Sequence, residues 1–205
     1  MGSSMSMYSG VIVSTRASRR SYMTDIKSLC KVYWEAFEGG DESAFRMLYD
    51  LTYDELYRYA HRLTGQTITI RDVLQEMYVS MWSRRGKQPP VRDPWVFLLV
   101  ALRNKVVDEA RKQRKLRVVH PAEPSVEAAF VKAETMALRT VWLEDKLLQL
   151  PERQREAIHL RYRVELGYPE IAEVMGVGQQ VAYNYVNRGV KQLRKVAADL
   201  PDWRK

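Results

Sequence analysis

Three histidines, His61, His120 and His159, and a single cysteine, Cys30, are the side chains best suited to nucleophilic or metal chemistry in this 205-residue chain. They lie far apart in sequence, and none falls in a ligand-spaced motif, so neither a catalytic nor a metal site is expected. A lone cysteine also excludes an internal disulfide and a cysteine-rich zinc site. There is no phosphate-binding or dinucleotide-binding glycine pattern, and the carboxylates have no spacing that assigns acid and base roles. The spacing that does carry chemistry is of another kind. Gln179, Gln180, Tyr183, Asn184, Asn187, Arg188 and Lys191 recur on one side of a helical period. Amides, a phenol and cations are groups that hydrogen-bond base edges and hold phosphates. The chemistry is recognition: no enzyme, no cofactor and no small-molecule substrate are expected.

The elements that must position these groups can be read on both sides of them. Ile171, Val174 and Met175 stand at i, i+3, i+4, giving a first helix with one apolar face, and Ala172 is small where two helices would cross. Gly176 follows the last apolar residue and suits the left-handed conformation that ends a helix; Val177 plugs the turn. Gln179–Arg194 then runs as a second helix with Ala182, Val186, Val190 and Leu193 on its inner face. Gly189 costs about 1 kcal/mol against alanine inside a helix, which points to close packing there. The pattern is a helix-turn-helix, whose second helix can enter the DNA major groove, with Arg194 and Lys195 extending its phosphate-contacting face.

The whole chain suits a polyanionic partner. Its formal charge is +8, and 46% of its residues are hydrophobic, enough for a packed core. No apolar run reaches membrane-spanning length and no signal-peptide pattern opens the chain, so it is expected in the cytoplasm without membrane insertion. Residues 1–24 have no sustained period and are expected as a flexible tail, with Met23 an alternative start. Lys31–Phe37 reads as a short helix. Asp41 is placed to cap a helix bearing Phe45, Leu48, Tyr49, Leu56, Ala60 and Leu63. Asp72–Trp82 forms another, with Leu74, Tyr78, Met81 and Trp82 on one side. Asp72, Gln75 and Glu76 share a different face. That acidic face is either simply solvated or meets a protein with a basic surface.

Arg84–Pro94 is a loop broken by Gly86 and three prolines and carries Arg84, Arg85, Lys87 and Arg92. The helix from Trp95 to Arg111, with Leu98, Leu102 and Val106 inside, ends in Arg111, Lys112, Arg114 and Lys115. Cations at a helix end suit its dipole, but together with the loop they form a nucleic-acid surface. Leu116–Ser125, with Pro121 and Pro124, reads as a linker. Beyond it, Leu143, Leu147 and Leu150 resume helical spacing, and Pro151 opens a helix carrying Ala157, Leu160 and Val164. The fold class is all-α: two small helical domains joined by a flexible linker.

Taken together, the two halves resemble the extracytoplasmic-function sigma factors of bacterial RNA polymerase, over roughly Gly40–Leu200. The first half carries Phe45–Tyr49, Tyr57, Tyr59 and Ala60, the Asp72-Val73-Leu74-Gln75-Glu76 block, Trp82, and Arg103, Asn104, Asp108 and Arg111, as in region two. The second carries Leu150–Ala157, Leu160-Arg161-Tyr162, and Tyr168, Glu170-Ile171-Ala172-Glu173 and Met175-Gly176, as in region four. The resemblance implies a tail over 1–24, a region-two domain over 25–115, a linker over 116–125 and a region-four domain over 126–205.

It also implies partners and roles. Asp72, Gln75 and Glu76 would dock on the clamp of the largest polymerase subunit, and region four would meet the flap. Arg84, Arg85, Lys87, Arg92, Arg103, Asn104, Arg111, Lys112, Arg114 and Lys115 would engage and melt the promoter −10 element, capturing unpaired bases. Gln179, Gln180, Tyr183, Asn184, Asn187, Arg188 and Lys191 would read the −35 element. The linker would run towards the RNA exit path, and an anti-sigma protein is a further partner common in the family. Gly178 and Tyr183 depart from the Ser or Asp and the basic residue often found there, so the base sequence read does not transfer. The competing reading is a two-domain helix-turn-helix regulator that never binds polymerase.

Overall fold

The computed structural model describes residues 16–63, 69–87, 89–117 and 146–198, with side chains described except at residues 16, 17, 114–117, 197 and 198. Among the described residues there are helices and turns and no strand. The first helix, α1 (Arg16–Glu38), buries Met23, Ile26, Cys30, Trp34 and Phe37, an apolar stripe at helical spacing. Gly40 ends it with φ +94°, a conformation that suits glycine. Asp41 then caps α2 (Glu42–Leu63): its Oδ1 accepts hydrogen bonds from the backbone N–H groups of Ser43 (2.7 Å) and Ala44 (3.1 Å).

In α3 (Ile70–Ser83), Ile70, Val73, Leu74, Met77, Tyr78 and Met81 face inward. The Tyr78 hydroxyl pairs with that of Thr52 at 2.8 Å, so both buried oxygens are satisfied. Asp93 caps α4 (Pro94–Arg117) through its Oδ1, bonded to the N–H groups of Trp95 and Val96 at 3.0 and 3.1 Å. The proline sits at the first helical position, where a missing N–H costs nothing. The second half comprises α5 (Glu152–Tyr162), α6 (Tyr168–Met175) and α7 (Gln179–Ala198).

Several boundaries differ from the sequence reading: α4 runs on to Arg117, two residues into the expected linker, and α7 runs to Ala198. The helix expected over Lys31–Phe37 is only the final part of α1. Residues 16–24, expected in a flexible tail, are helical, and Met23 is 1% exposed in the core. Packing across α1 outweighs the polar local composition of that stretch, as tertiary contacts commonly do. Residues 1–15, the linker from residue 118 and residues 126–145 lie outside the described residues.

The halves also meet. α4 packs on α6 and α2 on α5, and one continuous cluster of buried residues runs from Met23 through Leu102 to Ala172 and Val186. The two helical domains thus share one core.

Candidate nucleic-acid interface and its closure

The helix-turn-helix is built as its sequence requires. Gly176 takes the left-handed conformation (φ 63°, ψ 44°), and the N–H of Val177 returns to the carbonyl of Ala172 at 3.0 Å. Glu170 accepts from the N–H of Gly167 and so closes the N-terminus of α6. Along α7, Ala182 and Val186 are fully buried, and Val190 and Leu193 are half-buried. Gly189 lets α5 approach: a Cβ there would stand 2.5 Å from Ile158 Cδ1.

The opposite face of α7 is open. Gln179, Gln180, Tyr183, Asn187, Arg188 and Lys191 are exposed and Asn184 is half-exposed. Gln180 Nε2 donates to Asn184 Oδ1 at 3.3 Å, which orients the asparagine amide. Tyr183 rests edge-on against Tyr168 at 5.2 Å, and the Arg161 guanidinium lies over Tyr168 at 5.0 Å. All seven residues expected from the sequence therefore share one surface.

The first half presents two further surfaces. Arg84, Arg85, Lys87 and Arg92 are exposed in the loop between α3 and α4. Arg85 lies 4.1 Å over the Trp82 ring, whose packing on Phe45 (5.0 Å) fixes the loop's root. On α4, Asn104, Arg111 and Lys112 are exposed; Arg111 pairs with the exposed Asp108 and Lys112 with the half-buried Glu109, both at 3.4 Å. Such pairs are worth little and exchange readily for phosphate. The side chains of Arg114 and Lys115 lie outside the described residues. Elsewhere, Asp72, Gln75 and Glu76 are exposed together on α3, with Glu76 held loosely by Lys105 at 3.5 Å.

Beside Gln75 opens a groove of about 750 Å³ lined by Tyr49, Tyr53, Arg71 and Val79. Val79 is 62% exposed and Tyr49 37%. The sequence groups Tyr49 with Phe45 and Leu48 on one helix and gives Val79 no role. The signal lay in Val79 falling outside the Leu74–Tyr78–Met81 stripe.

Arg103 stands apart from the other cations expected to hold DNA. It is 8% exposed. Its Nε donates to Glu156 Oε1 on α5 at 2.6 Å, and its Nη2 to Oε2 at 3.5 Å. The Tyr59 hydroxyl of α2 donates to the same Oε1 at 2.9 Å, and Arg153 lies 3.7 Å from Oε2. Burial pulls the guanidinium pKa down, but the bond and charge of Glu156 outweigh it, and the pKa is raised; that of Tyr59 rises through burial and the adjacent carboxylate.

Other contacts bridge the halves nearby. Arg19 pairs with the buried Glu55 at 2.6 Å and donates to the carbonyl of Arg163 at 3.0 Å. Lys27 reaches the carbonyl of Glu165 (3.3 Å) and the Glu170 carboxylate (3.4 Å). His159 is buried with its ring stacked on Tyr59 at 5.8 Å, and desolvation with Arg62, Arg163 and Arg19 nearby lowers its pKa to about 3.

No group of three or more His, Cys, Asp or Glu among the described residues is placed to hold a metal ion. No helix among them is long and apolar enough to cross a membrane.

Comparison with known proteins assigns a family to each half. Residues 48–116 match the family Sigma-70 region 2, and residues 140–193 match Sigma-70, region 4, together more than half of the chain. The chain is 23% identical over 173 residues to the ECF RNA polymerase sigma factor SigW of Bacillus subtilis, covering 78% of this chain and 92% of that protein. It is 28% identical over 165 residues to the ECF RNA polymerase sigma factor SigL of Mycobacterium tuberculosis, with the same coverage of 78% and 92%.

Two solved structures share the fold. One is the sigma factor RpoE in complex with the anti-sigma factor NepR from Bartonella quintana (TM-score 0.64, 20% identity, 77% of this chain and 98% of that one). The other is CnrH in complex with the cytosolic domain of CnrY (TM-score 0.59, 23% identity, 84% and 99%). With a region-2 bundle followed by a region-4 helix-turn-helix, and relatives matched over 92% of their length, this chain belongs to the extracytoplasmic-function sigma factors of RNA polymerase.

Proposed function

We propose that the chain directs RNA polymerase to promoters by dividing the work between its halves. The exposed Asp72, Gln75 and Glu76, with the groove beside them, dock on the largest-subunit clamp. The basic loop and α4 hold the −10 element and its unpaired strand: Arg84, Arg85, Lys87, Arg92, Arg103, Asn104, Arg111, Lys112, Arg114 and Lys115. The outer face of α7 reads the −35 element, Gln180, Tyr183, Asn184 and Asn187 towards base edges and Arg188 and Lys191 towards phosphates. The protein supplies specificity to the polymerase's chemistry and acts in the cytoplasm, where that enzyme works.

The observation that carries this reading is α7 itself: an inner face sealed by Ala182 and Val186 and an outer face of amides, a phenol and cations left open. The closed arrangement is the resting one. The −10 and −35 elements lie about 25 base pairs apart, roughly 85 Å at ~3.4 Å per pair. Two halves that share a core cannot span that distance, so polymerase binding separates them. RpoE was solved with the anti-sigma factor NepR bound, and CnrH with the cytosolic domain of CnrY. An anti-sigma protein of this chain would act by holding the same surfaces shut.

Run-off transcription with purified core polymerase tests the proposal. Promoter-specific transcripts should require both core and this protein. A chain that binds a defined duplex site unaided and never binds core would instead be a helix-turn-helix regulator.

A further inference from the structure

We propose that Glu156 is a stand-in for a DNA phosphate: in the closed molecule its carboxylate occupies a cradle, formed by Arg103 and Tyr59, that takes a promoter phosphate once the halves part. This rests on the reading that α4 faces DNA in the open state. Both donors come from the first half, Arg103 from α4 and Tyr59 from α2, whereas the acceptor comes from α5 of the second half. When the second half leaves, the cradle stays behind intact and loses only its anion.

The chemistry of the exchange is matched. A carboxylate and a phosphodiester each carry one negative charge and two free oxygens, and a guanidinium can bond both oxygens of either. Here the two Glu156 oxygens accept from Arg103 at 2.6 and 3.5 Å and from Tyr59 at 2.9 Å.

Stability alone does not explain a charge pair at this position. Both side chains are nearly buried, 9% exposed for Arg103 and 3% for Glu156. Apolar residues of similar size would seal such an interface at least as well. An apolar seal, however, would leave opening uncompensated, whereas an ion pair lets promoter phosphate replace the carboxylate. Arg103 is then paired in both states. The exposed cations further along α4, Arg111 and Lys112, pair at 3.4 Å with Asp108 and Glu109 of their own helix, and DNA displaces such pairs readily. Arg103 is the contact whose release is tied to closure.

The test uses the full chain and short randomised single-stranded DNA, since a phosphate contact does not depend on sequence. Small-angle scattering reports opening and circular dichroism reports folding. Glu156→Gln should raise the radius of gyration above roughly 17 Å, the value for a compact chain of this length. It should bind the oligonucleotide about tenfold more tightly and steepen the salt dependence by roughly 0.7 log–log units, one phosphate contact on a single strand.

Both gains should vanish in Glu156→Gln/Arg103→Gln. Arg19→Ala, which loosens closure away from the cradle, should produce the same Arg103-dependent gain, and it replaces Glu156→Gln if that variant loses its helical signal. Opening without tighter binding, or a gain that survives removal of Arg103, overturns the proposal. Core-polymerase affinity separates it from the reading beneath it. Variants that gain DNA affinity but never bind core sink the sigma assignment and leave the exchange standing, whereas variants that bind core normally but gain none sink the exchange alone.

Discussion

Mild acid should weaken the folded chain through His159, by an amount that follows from its surroundings. In the folded molecule desolvation, with Arg62, Arg163 and Arg19 nearby, lowers its pKa to about 3. In the unfolded chain an imidazole titrates at about 6.5. Between those values the unfolded state binds a proton that the folded state refuses, so stability is complete above about pH 6.5 and falls as pH falls. At about pH 5 the unfolded imidazole is almost fully charged and the buried one almost fully neutral, which removes about 2 kcal/mol. The figure does not depend on the folded pKa so long as it stays below about 4, and carboxylates contribute little until pH drops further.

The measurement is urea unfolding in steps from about pH 7.5 to about pH 5, for the parent and for His159→Gln. The parent should lose roughly 1.4 kcal/mol per pH unit below about pH 6, and the variant should be nearly flat over the same range. Absolute stabilities will differ, because glutamine cannot stack on Tyr59, but the slopes decide the matter. Parallel slopes in the two proteins would show that His159 is not the group taking up the proton. Because Tyr59 belongs to the other half, separation alone also frees the ring, so acid should favour the open form before it unfolds either half.

Three further outcomes are expected. Asp72→Lys with Glu76→Lys should weaken core-polymerase binding with an unchanged circular dichroism spectrum, since both are exposed and the Lys105 pair is worth at most about 1 kcal/mol; undiminished core affinity would remove them from the docking face. Gly189→Ala should destabilise by roughly 1 kcal/mol, because overpacking against Ile158 at 2.5 Å, about 1–3 kcal/mol, exceeds the helix-propensity gain of about 1. In an Ile158→Val background, which lacks the clashing Cδ1, the substitution should become neutral or stabilising, and additive effects in a double-mutant cycle would contradict the packing. In transcription from randomised −35 libraries, Asn184→Ala should alter preference at one or two positions by about 1–3 kcal/mol, Lys191→Ala should weaken all sequences alike, and Val186→Asp should unfold the domain by burying an unpaired charge. An unchanged preferred sequence for Asn184→Ala would mean that specificity comes from DNA shape or from other side chains.

The parts of the molecule that sequence reveals are those fixed by local rules. Asp41 before a helix and Gly176 after one declare their roles because the neighbouring backbone groups need them. The α7 outer face declares itself because its polar residues share a period. Closure obeys no local rule. Glu55 and Glu156 read as ordinary polar positions, and only the folded chain shows that each is buried against a cation from another helix, Glu55 by Arg19 and Glu156 by Arg103. Arg103 is legible as a cation on a helix that ends in further cations, but its partner lies in a different half of the sequence. The reach of α1 was hidden for a related reason. The stripe Met23, Ile26, Cys30 is present, but the Ser- and Arg-rich residues around its start dilute it, and what covers it is other helices, α2 and α4.

The burial of Cys30 has a practical side. Desolvation, with Asp93 close by, pushes its thiol up to about 12, so near neutral pH on the order of one molecule in ten thousand or fewer carries a thiolate while folded. Alkylating probes will therefore pass it over, and cysteines introduced at the surface of either half can be labelled with the native one left in place. Once α1 comes away from the core, the same thiol becomes available. Its rate of alkylation then measures how often that helix opens, without any engineered reporter.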